Sequence, residues 1–341
     1  MRTAADLLQA NLISAQQQPL ISSVAEKYAV AITPQLADLM QDGSESATFI
    51  KRQFVPDAAE LINSRLDLAD PIGDKTHSPL KGIVHRYPDR CLLQPVNLCP
   101  VYCRFCFRRE TVGPGNAALT AAELQACYSY IQAHPEIWEV ILSGGDPLIL
   151  KAKQLRNIIT NLNQIAHVEI IRIHTRIPIV DSARINPELI EVLKLKRPIY
   201  MVLHINHPAE FTAAAITAIE KLVDNGIVLL GQSVLLKNIN DSVEVLGQLM
   251  RSMVKHRIKP YYLHQADLAA GTEHFRTTIA KGQELMQQLR GTYSGLCQPQ
   301  YVLDIPGGQG KSPIGPNYLI KQDTGVTVID YQGKPHKYSE R

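Results

Sequence analysis

The sequence predicts an α/β protein, a partial (β/α)6 barrel built like an incomplete TIM barrel and preceded by a helical region. From about residue 90, short β-branched runs alternate with helical stretches. Six such runs recur at nearly constant spacing, which implies parallel strands joined by right-handed crossovers. A doubly wound sheet would show the same alternation. We favour the barrel because polar residues follow the runs, and the C-terminal strand ends of a barrel converge on one mouth, where active sites lie.

The part that precedes the barrel is expected to consist of helices and loops. Apolar residues recur there at helical spacing in three segments, 4–14, 34–41 and 56–68. No chemical motif is found in this part, so we predict a packing and lid role for residues 1–85. The barrel is predicted to occupy residues 86–305, and a lysine-containing loop with a tail is predicted for 306–341.

The strands and helices of the barrel follow from local patterns. Strands are predicted at 90–97, 139–145, 168–176, 198–206, 226–236 and 259–267. Thr120 and Glu123 form a capping box that begins a helix, and the Asn186-Pro187 and His207-Pro208 pairs place proline near helix starts. Further helices are predicted near 151–163, 241–256 and 275–290. The polar residues at the strand ends are Ser143, Asp146, Arg176, His204, Asn206, Gln232, His264 and Asp267.

Composition excludes several function classes. The 341 residues carry 35 basic and 32 acidic side chains, a net charge of +3, which argues against a nucleic-acid partner. No apolar run is long enough to span a bilayer, and the N-terminal residues do not resemble a secretory signal. We therefore expect a cytoplasmic protein with a small-molecule substrate and no membrane partner.

Three of the six cysteines, Cys99, Cys103 and Cys106, lie close together in a CxxxCxxC pattern directly after the first predicted barrel strand. Three thiolates on one loop can ligate three irons of a [4Fe-4S] cluster and leave the fourth iron open to a substrate or cofactor. Structural zinc and inert core cysteines are the alternatives. Zinc sites usually have a second pair of cysteines, which this sequence lacks, so the pattern favours the cluster.

A lysine in a glycine-rich segment is the second chemical feature. Asp304-Ile-Pro-Gly-Gly-Gln-Gly-Lys311 resembles a phosphate-binding loop, but Ile305 stands where that motif requires glycine, and Pro313 prevents the helix that should follow. A lysine on a flexible loop at a barrel mouth instead suits Schiff-base chemistry. A GxGxxA pattern at 113–118 is rejected as a dinucleotide site because no strand precedes it.

The order of the motifs is similar to that of known enzymes. The cysteine pattern and Ser143-Gly144-Gly145-Asp146 resemble the radical S-adenosylmethionine superfamily. Together with RIPIV, HINHP, GQSVLL, PYYLHQADLAAGTEHFRT and PGGQGK, they resemble the lysine 2,3-aminomutase family over residues 85 to about 320. The resemblance implies a [4Fe-4S] cluster, S-adenosylmethionine and pyridoxal 5′-phosphate as cofactors. It also implies conversion of L-lysine to β-lysine by a radical 1,2-amino shift, with an electron donor protein as partner.

The resemblance also implies residue roles. Cys99, Cys103 and Cys106 match the cluster ligands, and Lys311 matches the catalytic lysine that binds pyridoxal phosphate. Arg108 matches the arginine that pairs with the substrate carboxylate, and Asp267 and Asp304 match the carboxylates that receive its distal ammonium. The remaining cofactor-binding residues are Ser143, Gly144, Gly145 and Asp146, which match the motif for the methionyl amine, His204 and Gln232 near S-adenosylmethionine, and Arg86 and Arg90 near pyridoxal phosphate.

Departures from the family pattern keep alternatives open. Gln309 interrupts the glycine run. No cysteine follows Cys297, so we expect no zinc site. The oligomeric state stays open, and a homo-oligomer is one possibility. The sequence also resembles the branch that serves β-lysylation of elongation factor P, although the aspartate at 304 is typical of enzymes for free lysine. A radical aminomutase for another amino acid and a non-catalytic iron–sulfur protein are the further alternatives.

Overall fold

The N-terminal part of the chain is a set of short helices packed on the side of a barrel. A computed structural model describes residues 1–115, 118–194, 197–321 and 325–339. Its first helices are α1 (Ala4–Gln9), α2 (Gln18–Lys27), α3 (Pro34–Met40) and α4 (Glu45–Phe54). Their buried faces contribute Leu7, Leu36, Ile50 and Phe54 to the same apolar core as the barrel. The N-terminal helices therefore share one core with the barrel.

The barrel wall is a sheet of nine strands within the described residues, arranged in sequence order. Its strands are β1 (Ile83–Tyr87), β2 (Arg90–Val96), β3 (Glu139–Gly144), β4 (Ile170–Thr175), β5 (Ile199–His204), β6 (Val228–Leu235), β7 (Ile258–Gln265), β8 (Gln300–Ile305) and β9 (Gly310–Pro313). Strands β2 to β8 are parallel, whereas β1 and β9 run antiparallel at the two edges. This is the predicted partial barrel, extended by one strand at each edge and by β8.

Helices cover the outside of the sheet and connect its strands. They are α5 (Ala121–Gln132), α6 (Ala152–Gln164), α7 (Ile177–Val180), α8 (Pro187–Leu193), α9 (Ala213–Asp224), α10 (Val243–Lys255) and α11 (Ile279–Thr292). The predicted capping box begins α5: Thr120 Oγ1 accepts from the Glu123 amide at 3.2 Å, and Glu123 accepts from the Thr120 amide at 2.8 Å. None of the helices in the described ranges has both the length and the apolarity needed to cross a bilayer.

A small antiparallel sheet follows the barrel. Strands β10 (Leu319–Lys321), β11 (Val326–Ile329) and β12 (Pro335–Tyr338) pair in that order. The tail predicted at 306–341 thus contains β9 and this sheet, and its residues 322–324 and 340–341 lie outside the described residues.

All six predicted barrel strands are confirmed, whereas the prediction for 56–68 is wrong. That segment forms only a 3-10 turn at Ala58–Leu61. The Glu60 carboxylate accepts from the Asp57 amide, as at a helix start, and receives a hydrogen bond from Arg104 in the interior. The backbone is already extended at Ile62, so only one turn forms. Helices α2 and α4 and strands β1 and β9 were not predicted. The two strands form through pairing with β2 and β8, whereas α4 has a local start signal that the sequence analysis did not use, since Ser44 accepts from the Ala47 amide at 3.2 Å.

Candidate active site

A cavity of about 770 Å³ occupies the barrel interior and its mouth. Every residue that the sequence assigned to the site lines it: Arg86, Arg90, Cys99, Cys103, Cys106, Arg108, Ser143, Gly144, Gly145, Asp146, His204, Gln232, Asp267, Asp304 and Lys311. These residues come from distant parts of the chain. Most of them lie at or just after the C-terminal ends of the parallel strands, whereas Arg86 and Lys311 lie on the antiparallel edge strands and Arg90 begins β2. Asn206 does not line the cavity; its amide instead donates to Gln53 at 3.1 Å.

The three cysteines lie on the loop after β2, and the N-terminal helices hold this loop in place. The Tyr102 amide donates to the Ala31 carbonyl at 3.2 Å, and the Arg104 amide donates to the Gln53 carbonyl at 2.8 Å. Burial, together with the charges of neighbouring groups, raises the pKa of the Cys99 thiol well above its usual value and that of the Cys106 thiol to about 11. Thiols this buried ionise readily when cationic iron compensates their charge, so the donor set fits an iron–sulfur cluster.

A buried arginine contacts one of these thiols. Arg176 donates to Cys103 Sγ at 2.9 Å, to Glu210 at 2.7 Å and to Gln53 at 2.7 Å. Glu210 is fully buried, and its pairing with Arg176 offsets the cost of burying both charges. Gln53 belongs to α4, so the N-terminal part reaches the surroundings of Cys103.

The sequence interpretation of residues 1–85 as packing and lid only is therefore incomplete. Glu60 also belongs to this part and is fully buried. It receives hydrogen bonds from Arg104, which follows Cys103 directly, and from Arg109, which lies three residues after Cys106. Arg104 Nε lies 2.9 Å from Glu60. Burial works against ionisation of Glu60, yet the two guanidinium groups outweigh it and lower the pKa of the carboxyl. No motif marks Gln53 or Glu60, so only their position in space identifies them.

The glycine-rich turn after β3 approaches the cysteine loop closely. A Cβ on Gly145 would lie 2.3 Å from the Leu98 carbonyl oxygen, so glycine is required there. The carboxylate of Asp146 accepts from the Thr175 hydroxyl at 2.7 Å and from the Arg176 amide at 2.7 Å. Asp146 thus ties β3 to the end of β4. Ser143, Gly144 and Gly145 remain on the cavity surface beside it.

Lys311 lies on β9, directly opposite Asp304 on β8. This corrects the expectation of a flexible loop, because strand pairing fixes the lysine backbone. Its ammonium forms an ion pair with the Asp304 carboxylate and lies 3.3 Å from His264 Nδ1. The Lys311 amide donates to the Tyr87 hydroxyl at 2.7 Å. A lysine amine inside the cavity, with Arg86 and Arg90 also on the cavity wall, fits pyridoxal phosphate.

The two carboxylates near Lys311 have opposite pKa shifts. Burial and the neighbouring Asp304 charge raise the pKa of Asp267 to about 7. Burial also acts to raise the pKa of Asp304, but the interactions with His264 and Lys311 outweigh it and hold that pKa well below its usual range. His264 was noted at a strand end but not assigned to the site, although it stands beside both Asp304 and Lys311.

Three arginines that the sequence assigned to the site, Arg86, Arg90 and Arg108, are paired with aspartates. Arg108 forms an ion pair with Asp74 at 2.7 Å, and Arg86 forms one with the same carboxylate at 3.1 Å. Arg90 pairs with Asp89 at 2.6 Å and lies over the Tyr87 ring. Asp74 is a further site residue that the sequence analysis missed, because its loop carries no motif.

His204 and Gln232 face each other on neighbouring strands. They are register partners on β5 and β6, and both line the cavity. Burial, followed by the nearby Arg176 charge, holds the pKa of His204 well below its usual value, so its imidazole is neutral. A neutral imidazole and an amide are suited to hydrogen bonding with a polar cofactor.

Together, the parallel barrel and the cysteine loop at its mouth define a radical enzyme with an iron–sulfur cluster, and residues 93–249 match the family model of the radical S-adenosylmethionine superfamily. Residues 286–341, which include Lys311, match the model described as lysine-2,3-aminomutase. The chain belongs to the lysine 2,3-aminomutase family and is an aminomutase, that is, an isomerase. This family uses a [4Fe-4S] cluster, S-adenosylmethionine and pyridoxal phosphate.

Three relatives illustrate the similarity. The L-lysine 2,3-aminomutase of Clostridium subterminale is 40% identical over 96% of this chain and 79% of the relative. That of Fusobacterium nucleatum is 41% identical over 96% of this chain and 77% of the relative. The glutamate 2,3-aminomutase of Clostridioides difficile is 35% identical over 96% of this chain and 78% of the relative. Since relatives named for two different substrates match this chain, the substrate must be argued from the site.

Proposed function

We propose that the protein is an L-lysine 2,3-aminomutase that converts L-lysine to β-lysine. The observation that carries the proposal is the grouping, within one cavity, of Lys311, a cationic Arg108 and two carboxylates, Asp267 and Asp304. A substrate with a carboxylate at one end and an ammonium at the other complements this arrangement. A substrate with two carboxylates would bring one of them to Asp304.

Arg108 supports binding of the substrate carboxylate. A guanidinium presents paired N–H donors that match the two oxygens of a carboxylate. Its side chain is largely buried, which strengthens such an ion pair relative to one in water. Arg108 and Asp267 line the same cavity, so an amino acid substrate bound there would lie between the two side chains.

Asp304 supports binding of the distal ammonium. Its carboxylate already pairs with the ammonium of Lys311, which shows that a primary ammonium fits beside it. Asp267 adds a second carboxylate in the same buried surroundings. An ammonium held between the two would satisfy both charges, and it would also lower the pKa of Asp267.

The cofactors supply the chemistry that side chains cannot: when bound, the cluster and S-adenosylmethionine provide a radical that takes hydrogen from Cβ, and pyridoxal phosphate provides the carbonyl that carries the migrating nitrogen. Cys99, Cys103 and Cys106 would hold the cluster, with Arg176 beside one sulfur. Lys311 would hold pyridoxal phosphate.

Substrate selectivity tests the proposal. We expect kcat/KM for L-lysine to exceed that for L-glutamate, and D304N to lower kcat/KM for L-lysine by about 10- to 100-fold because a charged hydrogen bond to the ammonium is lost. The assay is anaerobic turnover of the reconstituted enzyme, with amino acid products separated by mass spectrometry. Preference for L-glutamate in the same assay would contradict the proposal and favour the activity named for the Clostridioides difficile relative.

A further inference from the structure

Asp74 lies between two arginines in the active-site cavity. We infer that it is a positioning residue that orients Arg108 toward the substrate carboxylate and keeps Arg86 from competing for that carboxylate. The inference rests on the proposed function, since it concerns how an amino acid substrate is held. Asp74 itself need not contact the substrate for this role.

The geometry around Asp74 is that of a shared carboxylate. Oδ2 accepts from Arg108 Nε at 3.0 Å and from Arg108 Nη2 at 2.7 Å. Oδ1 accepts from Arg86 Nη2 at 3.1 Å. The side chains of Asp74, Arg86 and Arg108 are 17%, 12% and 13% exposed, so these charged hydrogen bonds are largely shielded from water. Each carboxylate oxygen therefore serves one arginine.

These contacts fix which edge of Arg108 is available. Asp74 takes the edge formed by Nε and Nη2, and within the described residues the side-chain hydrogen bonds of Arg108 all go to Asp74. The other edge, which includes Nη1, can receive a second carboxylate in the paired geometry that guanidinium groups favour. Without Asp74, Arg108 would lose this anchor and face the like charge of Arg86.

Asp74 is itself held by its own segment. The Asp74 amide donates to Asp70 Oδ1, and the Lys75 amide donates to Asp70 Oδ2, both at 2.9 Å. Immediately before Asp74, Gly73 packs so closely on Gly308 that a Cβ there would lie 2.2 Å from the Gly308 nitrogen. The segment that places Asp74 is therefore packed against the turn that leads into Lys311.

A competing interpretation is that Asp74 occupies the place of the substrate carboxylate and is displaced when the substrate binds. The contacts favour positioning instead. Displacement would have to break the bond to Arg86 as well, because Oδ1 is committed to that arginine. The two interpretations predict opposite changes in affinity when the Asp74 charge is removed.

The test compares D74N with the wild-type enzyme, both reconstituted with cluster and pyridoxal phosphate. We expect D74N to raise KM for L-lysine by about 10- to 100-fold, because the charged hydrogen bonds that orient Arg108 are weakened, while kcat changes by less than about threefold. Calorimetric titration of L-lysine into the unreduced holoenzyme should show the same loss of affinity without turnover. An unchanged or lower KM and dissociation constant would overturn the inference.

D224N is the matched control, because Asp224 pairs with Arg257 on the exposed surface and the substitution removes the same charge. It should leave KM unchanged. If D74N fails to retain iron, D74E is measured in its place. Its longer side chain should displace the carboxylate and also raise KM, and a wild-type KM for D74E would overturn the inference. A wild-type enzyme that neither binds nor converts L-lysine would instead overturn the proposed function.

Discussion

Lys311 and Asp304 are register partners on two antiparallel strands, and this pairing determines where the Lys311 amine lies. The ammonium is held by Asp304 and stands beside His264. In the proposed function, the amine would be presented to the cofactor carbonyl from this fixed position, which would make their reaction effectively intramolecular. At the residue scale, the account depends on this single side chain more than on any other.

Replacing Lys311 tests that dependence. K311A should abolish isomerisation, because no other assigned residue supplies an amine, while the cluster bound by the three cysteines should remain. Product analysis and the visible absorption of the cluster measure the two effects. K281A is the control, since Lys281 is an exposed lysine on α11 that pairs with Glu284. Full activity of K311A would contradict the assignment.

The raised pKa of Asp267 predicts that substrate binding depends on pH. Its pKa of about 7, against a usual value of 3.8, means that the carboxyl becomes anionic only as pH rises through neutrality. KM for L-lysine should therefore fall between pH 6 and 8, and D267N should flatten this profile. Because the folded enzyme binds more protons than the unfolded chain between the two pKa values, this carboxyl also makes stability decrease as pH rises across that window. A KM that rises with pH in the wild type would contradict this role.

At the scale of elements, the turn after β3 has no room for a side chain at position 145, because it contacts the cysteine loop. G145A should reduce the free energy of unfolding by about 1–3 kcal/mol and so lower the midpoint of chemical unfolding. The reason is that the new Cβ would collide with backbone atoms of Leu98, which cannot move independently of the chain. The iron content of reconstituted protein should fall as well. G295A, where a Cβ would meet no atom within 4 Å, serves as control. Equal unfolding midpoints for the two variants would argue against a tight contact.

Glu60, in the turn that follows α4, is one of the residues that connect the N-terminal part of the chain to the cysteine loop. E60Q leaves Arg104 and Arg109 buried without a full counter-charge, so we expect a loss of about 3–5 kcal/mol in the free energy of unfolding. E191Q removes an exposed ion pair with Lys194 and should cost less than about 1 kcal/mol. Urea denaturation of both variants makes the comparison, and similar losses would contradict the role of Glu60.

The barrel elements were predictable from sequence because each parallel strand carries its own apolar run and each crossover helix its own spacing. Thr120 and Glu123 show this locally, since the capping box alone indicated where α5 begins. Strands β1 and β9 were not predictable, because they exist through pairing with β2 and β8. Asp74, Glu60 and Gln53 were missed for a related reason: each acts on the site from a segment without a motif.

At the scale of the whole molecule, one continuous sheet brings distant motifs to one cavity. The cysteine loop follows β2, Asp267 follows β7, and Lys311 lies on the last strand of the sheet. Their placement in a common cavity agrees with the roles that the family resemblance implied, although those roles remain proposals. The N-terminal part of the chain completes the arrangement, because it holds the cysteine loop through backbone hydrogen bonds and the ion pairs of Glu60.

The most direct test of the central claim is product identification after anaerobic incubation of the reconstituted enzyme with L-lysine, S-adenosylmethionine, pyridoxal phosphate and a reductant. The account predicts β-lysine, formed in many turnovers per enzyme and dependent on Lys311. Formation of 5′-deoxyadenosine without β-lysine would contradict it, since the radical machinery would then be present but directed at a different substrate.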